Sequence, residues 1–208
     1  MMDRWVIARL RPGLEAGARG LVRLGIGADA VTWAGFAIGI AAAACIAQQA
    51  FAAGLVLMLL SRLLDGLDGA VARLTQPTDR GAFLDITLDF LFYASIPLAF
   101  AWADPARNAL AAATLLAAFV GTGSTFLAFA VLAQRRGLRS TAYPAKGLYY
   151  LGGLTEATET LLVFAAMCWW PQAFPLLALA FAGLCGLTVL TRVWFGWREL
   201  SAAEARTP

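Results

Sequence analysis

Histidine is absent from all 208 residues, and charged residues of every kind make up only 14% of the chain. Without histidine, any proton-transfer or metal-binding group must be a carboxylate, lysine, tyrosine, cysteine or backbone group. The three cysteines, Cys45, Cys168 and Cys185, lie in apolar runs with no paired spacing. They read as small buried apolar residues, which excludes a disulfide framework or a cysteine-based zinc site. Soluble domains average about one-quarter charged residues. A chain this poor in charge, 61% hydrophobic with a mean hydropathy of +0.72, lacks the polar surface to cover a core, so lipid must be part of its solvent. The net charge is only +3, and the basic residues sit in clusters between apolar runs. That arrangement suits loops facing anionic headgroups and argues against a nucleic-acid partner.

What is present is a series of apolar segments. A helix needs about twenty such residues to cross a bilayer. Six segments are expected to do so, near Ala30–Ala47, Phe51–Leu64, Phe83–Ala101, Leu110–Leu132, Thr160–Trp170 and Phe174–Phe195. The second should continue as helix to about Arg73, and the fifth should start near Leu151 and include Glu156 and Glu159. Ahead of them, residues 1–28 alternate Trp5, Val6, Ile7, Leu10 and Leu14 with Arg4, Arg9, Arg11, Arg19 and Arg23. This predicts an amphipathic helix on the membrane surface and not a secretory signal. The expected organisation is therefore all-α: an interfacial segment (1–28), one six-helix membrane domain (29–200) and a tail (201–208). Arg73, Arg80, Arg135, Arg136, Arg139, Lys146, Arg198 and Arg206 fall on one side, whereas the opposite loops offer only Arg107. The positive-inside rule then puts both termini in the cytoplasm, with the chain in a bacterial inner membrane. Trp102, Trp169 and Trp170 stand where interfacial aromatics would on the far side.

Four aspartates stand near the cytoplasmic ends of the second and third spans. Ionisable groups at membrane depth are costly and mark functional sites by default. Asp65 and Asp68 are three positions apart, Asp85 and Asp89 four, and both spacings put side chains on one helical face. A short turn, Thr75 to Arg80, joins the helices as an antiparallel hairpin, so the two acidic faces can converge. Converging carboxylates repel unless compensated, and hard divalent cations prefer oxygen ligands. Mg²⁺ or Mn²⁺ follows, able to bridge a pyrophosphate and polarise a phosphoryl oxygen. The alternative is a cation- or proton-coupled transporter using the same aspartates, although that function would distribute ionisable groups toward both membrane faces. An intramembrane aspartyl protease would need two aspartates deep in separate spans. Between the carboxylates, Gly69, Ala72 and Gly81 allow close approach to the backbone, and Arg73 could grip a phosphate.

The run Asp65-Gly66-Leu67-Asp68-Gly69-Ala70-Val71-Ala72-Arg73, followed by Gly81, Asp85 and Asp89, resembles the CDP-alcohol phosphotransferase (CDP-alcohol phosphatidyltransferase) family. Every fixed position of D-x-x-D-G-x-x-A-R…G-x-x-x-D-x-x-x-D is matched, and the spacer from Arg73 to Gly81 is slightly shorter than usual. The resemblance implies that Asp65, Asp68 and Asp85 bind metal ions, two of them, with Asp89 completing the site and acting as general base. It implies that Gly69, Ala72, Arg73 and Gly81 form the CDP pocket. It also implies that the donor is CDP-diacylglycerol, that a small polar alcohol is the acceptor, that CMP leaves, and that the protein is a homodimer among membrane lipids.

Other positions are less specific. Of the family's usual start to the first span, only Thr32 fits, and Asp29 is expected to be a helix N-cap. Arg192, Arg139 and Lys146 could bind a phosphorylated acceptor, with Arg135 and Arg136 nearby, although positive-inside loop charge also explains the loop residues. Glu156 and Glu159 could meet an amine-bearing acceptor, or pair with loop arginines. Tyr143, Tyr149 and Tyr150 read as interfacial anchors.

Overall fold

The computed structural model describes residues 2–135 and 155–204, with the backbone alone for 2–8 and 202–204. Within them the chain is helical: α1 (Met2–Arg23), α2 (Ala28–Ala47), α3 (Phe51–Leu74), α4 (Asp79–Ala103), α5 (Pro105–Arg135), α6 (Ala157–Trp169), a 3₁₀ turn (Pro171–Ala173) and α7 (Phe174–Glu204). The all-α reading is borne out, and each expected span has its helix. Arg136, Arg139, Lys146, Tyr143, Tyr149 and Tyr150 lie outside the described residues.

Four of these helices, α2, α4, α5 and the segment ending in α7, are long and apolar enough to cross a membrane. α3 has the length, at 24 residues, but Arg62, Asp65 and Asp68 interrupt its apolar run. α6 is 13 residues long. α5 and α7, of 31 residues each, reach about 46 Å, beyond a hydrocarbon core of about 30 Å.

Local chemistry sets the boundaries. Gly25 at φ 74° turns the chain between α1 and α2, a conformation glycine adopts without strain. Gln49, at φ 63°, closes the α2–α3 turn, and its side-chain amide donates to the Ala103 carbonyl at the end of α4 (2.9 Å). Thr78 caps α4, its hydroxyl accepting from the Gly81 amide at 3.0 Å. α6 opens with a capping box in which Glu156 and Glu159 satisfy each other's backbone amides. This corrects the expected boundary: Glu156 is the cap, and α6 begins after it. Asp29 is likewise not a cap. It is the second residue of α2, and it accepts a 2.6 Å hydrogen bond from Arg80.

α2 packs on α3 and α4, α4 on α5, and α5 on α7. The main core runs through Met58, Phe92, Ile96, Phe100, Phe164 and Phe174. At the end away from the aspartates, Phe100 stacks between Phe51 (5.6 Å) and Phe174 (4.5 Å). A smaller cluster joins α1 to α3, with Ala18 buried against Ala70 and Val71 and flanked by Leu14, Leu21 and Leu67. Arg9, Arg11, Arg19 and Arg23 stay exposed. Arg11 donates to Glu15 at 2.7 Å and holds that carboxyl below its ordinary range. Large apolar side chains remain uncovered around the bundle, among them Leu110, Leu176 and Val120, with Trp102, Trp169 and Trp170 at one end. Such a surface belongs in lipid with an aromatic belt at its rim.

The approach of α2 to α3 and α4 depends on glycine. A Cβ at Gly39 would lie 2.6 Å from the Phe92 ring and 2.9 Å from Ser61 Oγ, and the Phe92 side chain is fully buried. Gly39→Ala is expected to destabilise the bundle by about 1–3 kcal/mol. Thermal unfolding of the detergent-solubilised protein checks this, and an unchanged midpoint would contradict the packing.

Candidate active site

The α3–α4 hairpin does what the aspartate spacing requires. One carboxylate oxygen from each of Asp65, Asp68 and Asp85 lies within 4.8 Å of the others. Oxygens held about 2.1–2.5 Å from one cation lie no more than roughly 5 Å apart, so the triplet has the dimensions of a shared ion site. Asp85 is exposed, Asp65 half-buried and Asp68 buried. Asp68 Oδ2 is shielded from solvent and has no hydrogen-bond partner among the described residues. A buried, unsatisfied carboxylate oxygen carries a desolvation cost, and a cation would offset it. The donors are all oxygens, with no imidazole or thiolate, so the residues fit a hard divalent cation.

Asp89 stands outside the triplet. Its Oδ1 accepts a short hydrogen bond from Arg62 Nη1, and 38% of its side chain stays exposed. Arg62 also lies 3.4 Å from Asp65. Thr32, Gly35, Phe36 and Leu88 wall the small cleft holding Arg62, Asp65, Asp85 and Asp89. Gly35 lets α2 come close: a Cβ there would be 3.2 Å from Leu64 Cβ.

The other motif residues divide into two places. Arg73 folds back over Gly69, where an added Cβ would meet its Nη1 at 3.3 Å. Ala72 is half-buried on the same helix. Gly81 sits at the start of α4 against Thr78 and Asp29 (3.1 and 3.2 Å from an added Cβ). Both places flank the turn between the two helices that carry the aspartates.

A cavity of about 320 Å³ extends from Asp85 and Asp89 between α4, α5, α6 and α7. Arg192 and Glu156 line it, with Thr122, Thr160, Tyr93 and Phe126 among its walls. Arg192 thus reaches the same space as Asp89, and its Nη1 donates to the Thr122 carbonyl at 3.0 Å. Glu156 contributes to the wall while serving as a helix cap, and Glu159 is engaged in the reciprocal cap. Sequence reasoning passed over Arg62. The available signal was an arginine inside an apolar run three residues before Asp65, one turn away on the same face.

A model of the CDP-alcohol phosphatidyltransferase family matches residues 26–197. The chain belongs to the CDP-alcohol phosphatidyltransferase family. Over 98% of its length it is 50% identical to the inner membrane protein YnjF of Escherichia coli, covering 99% of that protein. Over 70 residues (33% of this chain and 36% of the relative) it is 44% identical to an archaetidylinositol phosphate synthase of Methanothermobacter thermautotrophicus. Among solved structures it is similar to the Mycobacterium tuberculosis phosphatidylinositol phosphate synthase PgsA1 with CDP-DAG bound. That match has 26% identity and a TM-score of 0.66, and covers 88% of this chain and 93% of that one. The same synthase in complex with manganese and citrate matches at 26% identity and TM-score 0.66, covering 88% of each chain. As a CDP-alcohol phosphatidyltransferase, the protein is an integral membrane transferase of substituted phosphate groups in phospholipid synthesis. The family's name gives a CDP-alcohol as its substrate class, and the Asp65, Asp68 and Asp85 triplet has the dimensions of a divalent-ion site. The family assignment leaves the transporter alternative without support.

Asp68→Ala removes the most deeply buried member of the triplet. Mn²⁺ affinity is expected to fall at least roughly tenfold, since charge and ligand count set affinity at such oxygen sites. Isothermal titration of the purified protein measures this, and an unchanged binding curve would exclude Asp68 as a ligand.

Proposed function

We propose that the protein transfers the phosphatidyl group of CDP-diacylglycerol to a hydroxyl of a small polar alcohol, releasing CMP, at the cytoplasmic face of a bacterial inner membrane. The observation that carries this reading is the convergence of Asp65, Asp68 and Asp85, the last of which also lines the cavity that holds Asp89 and Arg192. A metal-binding carboxylate cluster opening onto an acceptor-sized space is what a phosphoryl transfer of this kind needs.

In this reading Asp65, Asp68 and Asp85 would hold two Mg²⁺ or Mn²⁺ ions, with Asp89 completing the site. Bound there, the ions would neutralise the donor pyrophosphate and stabilise the departing CMP. Arg73, beside Gly69 and Ala72, grips the nucleotide phosphate, and Gly81 leaves room for it across the turn. Asp89 accepts the proton of the acceptor hydroxyl. The acceptor oxygen then bonds to the β-phosphorus, the bond from that phosphorus to the bridging oxygen breaks, and the bridging oxygen leaves on CMP. The base requires position more than an elevated proton affinity, because it sits where the hydroxyl must approach. The diacyl chains remain among the lipid-facing helices.

The charge asymmetry of the loops supports cytoplasmic termini. The membrane domain then has six crossings, with α3 and α6 contributing the two that are charged or short. A homodimer is part of the same proposal. For the acceptor, Arg192 favours a phosphorylated alcohol such as glycerol 3-phosphate or inositol phosphate. Arg139 and Lys146, which follow α5 in the sequence, would add positive charge. Glu156 and Glu159 serve α6 as caps, and an amino-alcohol acceptor would need Glu156 on the cavity wall.

Incubating purified protein with CDP-diacylglycerol, Mn²⁺ and a panel of alcohols tests the reaction, and absence of CMP with every alcohol would refute it. Asp89→Asn is expected to lower kcat by about 10²–10⁴-fold while CDP-diacylglycerol still binds. Normal turnover would remove its role as base. Arg192→Ala should raise KM for a phosphorylated alcohol at least roughly tenfold, in line with losing one charge-assisted contact. An unchanged KM would move the acceptor phosphate elsewhere.

A further inference from the structure

We propose that α1 is a docking surface for anionic lipid headgroups of the surrounding leaflet, and that their binding braces the motif-bearing end of α3 and raises turnover. The turnover half of the inference rests on the phosphatidyl-transfer reading above.

α1 is seated on the motif itself. Ala18 is buried against Ala70 and Val71, which lie in sequence between Asp68 and Arg73. A Cβ at Gly66 would stand 3.3 Å from Leu14 Cδ1, and one at Gly17 would stand 3.1 Å from Leu67 Cδ2, so a glycine on each helix lets the two lie close. Glu15, whose carboxyl Arg11 holds low, also feels the charge of Arg73. α1 meets α6 as well, the helix whose capping Glu156 lines the cavity. One helix therefore touches both the motif and a wall of the adjoining space. The protein contact that holds it is small, with Ala18 its only fully buried side chain among those described. A segment held by so few apolar contacts opens easily unless something else secures it.

The opposite face supplies that second hold. At about 100° per residue, Arg9, Arg19 and Arg23 fall within roughly 80° of one another, across the helix from Leu14, Ala18 and Leu21. All three arginines are exposed. Leu10, on the flank between the two faces, is 50% exposed, and Leu24, in the turn that follows, is 76% exposed. A helix with a cationic face, an uncovered apolar flank and a third side against a membrane bundle belongs at headgroup level. There its flank meets acyl chains and its arginines meet lipid phosphate, to which guanidinium groups bond as charged forks. A soluble acidic partner would match the arginines and leave the apolar flank unexplained. Headgroups on this face would keep α1 against α3 and, through Ala18, fix the helical turn that follows Asp68.

The test places the full-length protein in nanodiscs of phosphatidylcholine alone, or of phosphatidylcholine mixed with phosphatidylglycerol. Hydrogen exchange is read at α1 and at residues 66–74 of α3. CMP release is followed with CDP-diacylglycerol, Mn²⁺ and the panel alcohol of highest turnover. Wild type is compared with a variant combining Arg9→Gln, Arg19→Gln and Arg23→Gln. Because these side chains are exposed, the substitutions leave the packing intact. In wild type, phosphatidylglycerol is expected to slow exchange in both segments and to raise the rate of CMP release roughly fivefold, the factor that one basic side chain near an anionic surface contributes. The combined variant is expected to lose both responses. Equal responses in wild type and variant overturn the proposal, because the surface potential would then act on Mn²⁺ or the acceptor without α1. Slower exchange confined to α1, with residues 66–74 and turnover unchanged, overturns the bracing and leaves α1 a membrane anchor. Absence of CMP in every lipid refutes the reaction reading instead, and the exchange data then decide docking and bracing on their own.

Discussion

The constraint on which the structure depends is the gathering of carboxylates inside a bundle otherwise built for lipid. Charges of one sign repel most strongly where water is scarce. The fold meets this with a tight hairpin and an arginine laid between the two acidic edges, while a buried oxygen of Asp68 has no hydrogen bond among the described residues. Arg62 compensates one side of the cluster, and the remaining excess of negative charge is an affinity for divalent ions. The hairpin turn, the glycines at 35 and 39 and the hydroxyl of Ser61 all serve to bring α2, α3 and α4 close enough for this cluster to exist.

Much of the site could be read from the chain because its elements are local. The spacings Asp65–Asp68 and Asp85–Asp89 need only helical periodicity to share a face, and a short turn to bring the faces together. The apolar segments likewise announced their helices. What escaped depends on contacts between residues distant in sequence. Nothing near Arg62 shows that its partner is 27 positions away. Asp29 was read as a cap because its neighbours allowed it, whereas its actual partner is Arg80 on another helix. The charge of Glu156 and Glu159 suits a substrate or a basic loop, although their i, i+3 spacing also encodes a capping box. Four of the helices satisfy a simple length-and-apolarity rule; α3 fails it for the same charges that form the acidic cluster.

Reaction class and substrate choice occupy different parts of the molecule. The motif that identifies the CDP-alcohol phosphatidyltransferase family lies on one hairpin, so relatives with quite different overall identity can share it. The walls of the adjoining cavity come from four helices, α4 to α7, and a single variable position on any of them alters the space offered to an acceptor. This division explains why the donor chemistry is readable from about twenty-five positions and the acceptor is not.

The stacked rings of Phe51, Phe100 and Phe174 fasten the helices at the end opposite the aspartates, while a cavity lies at the aspartate end. The bundle is thus put together like a clothes-peg, with its spring and its jaws at opposite tips. Substitutions at the jaws can retune chemistry while the spring keeps the helices together, so such a scaffold can diversify its reactions without renegotiating its fold.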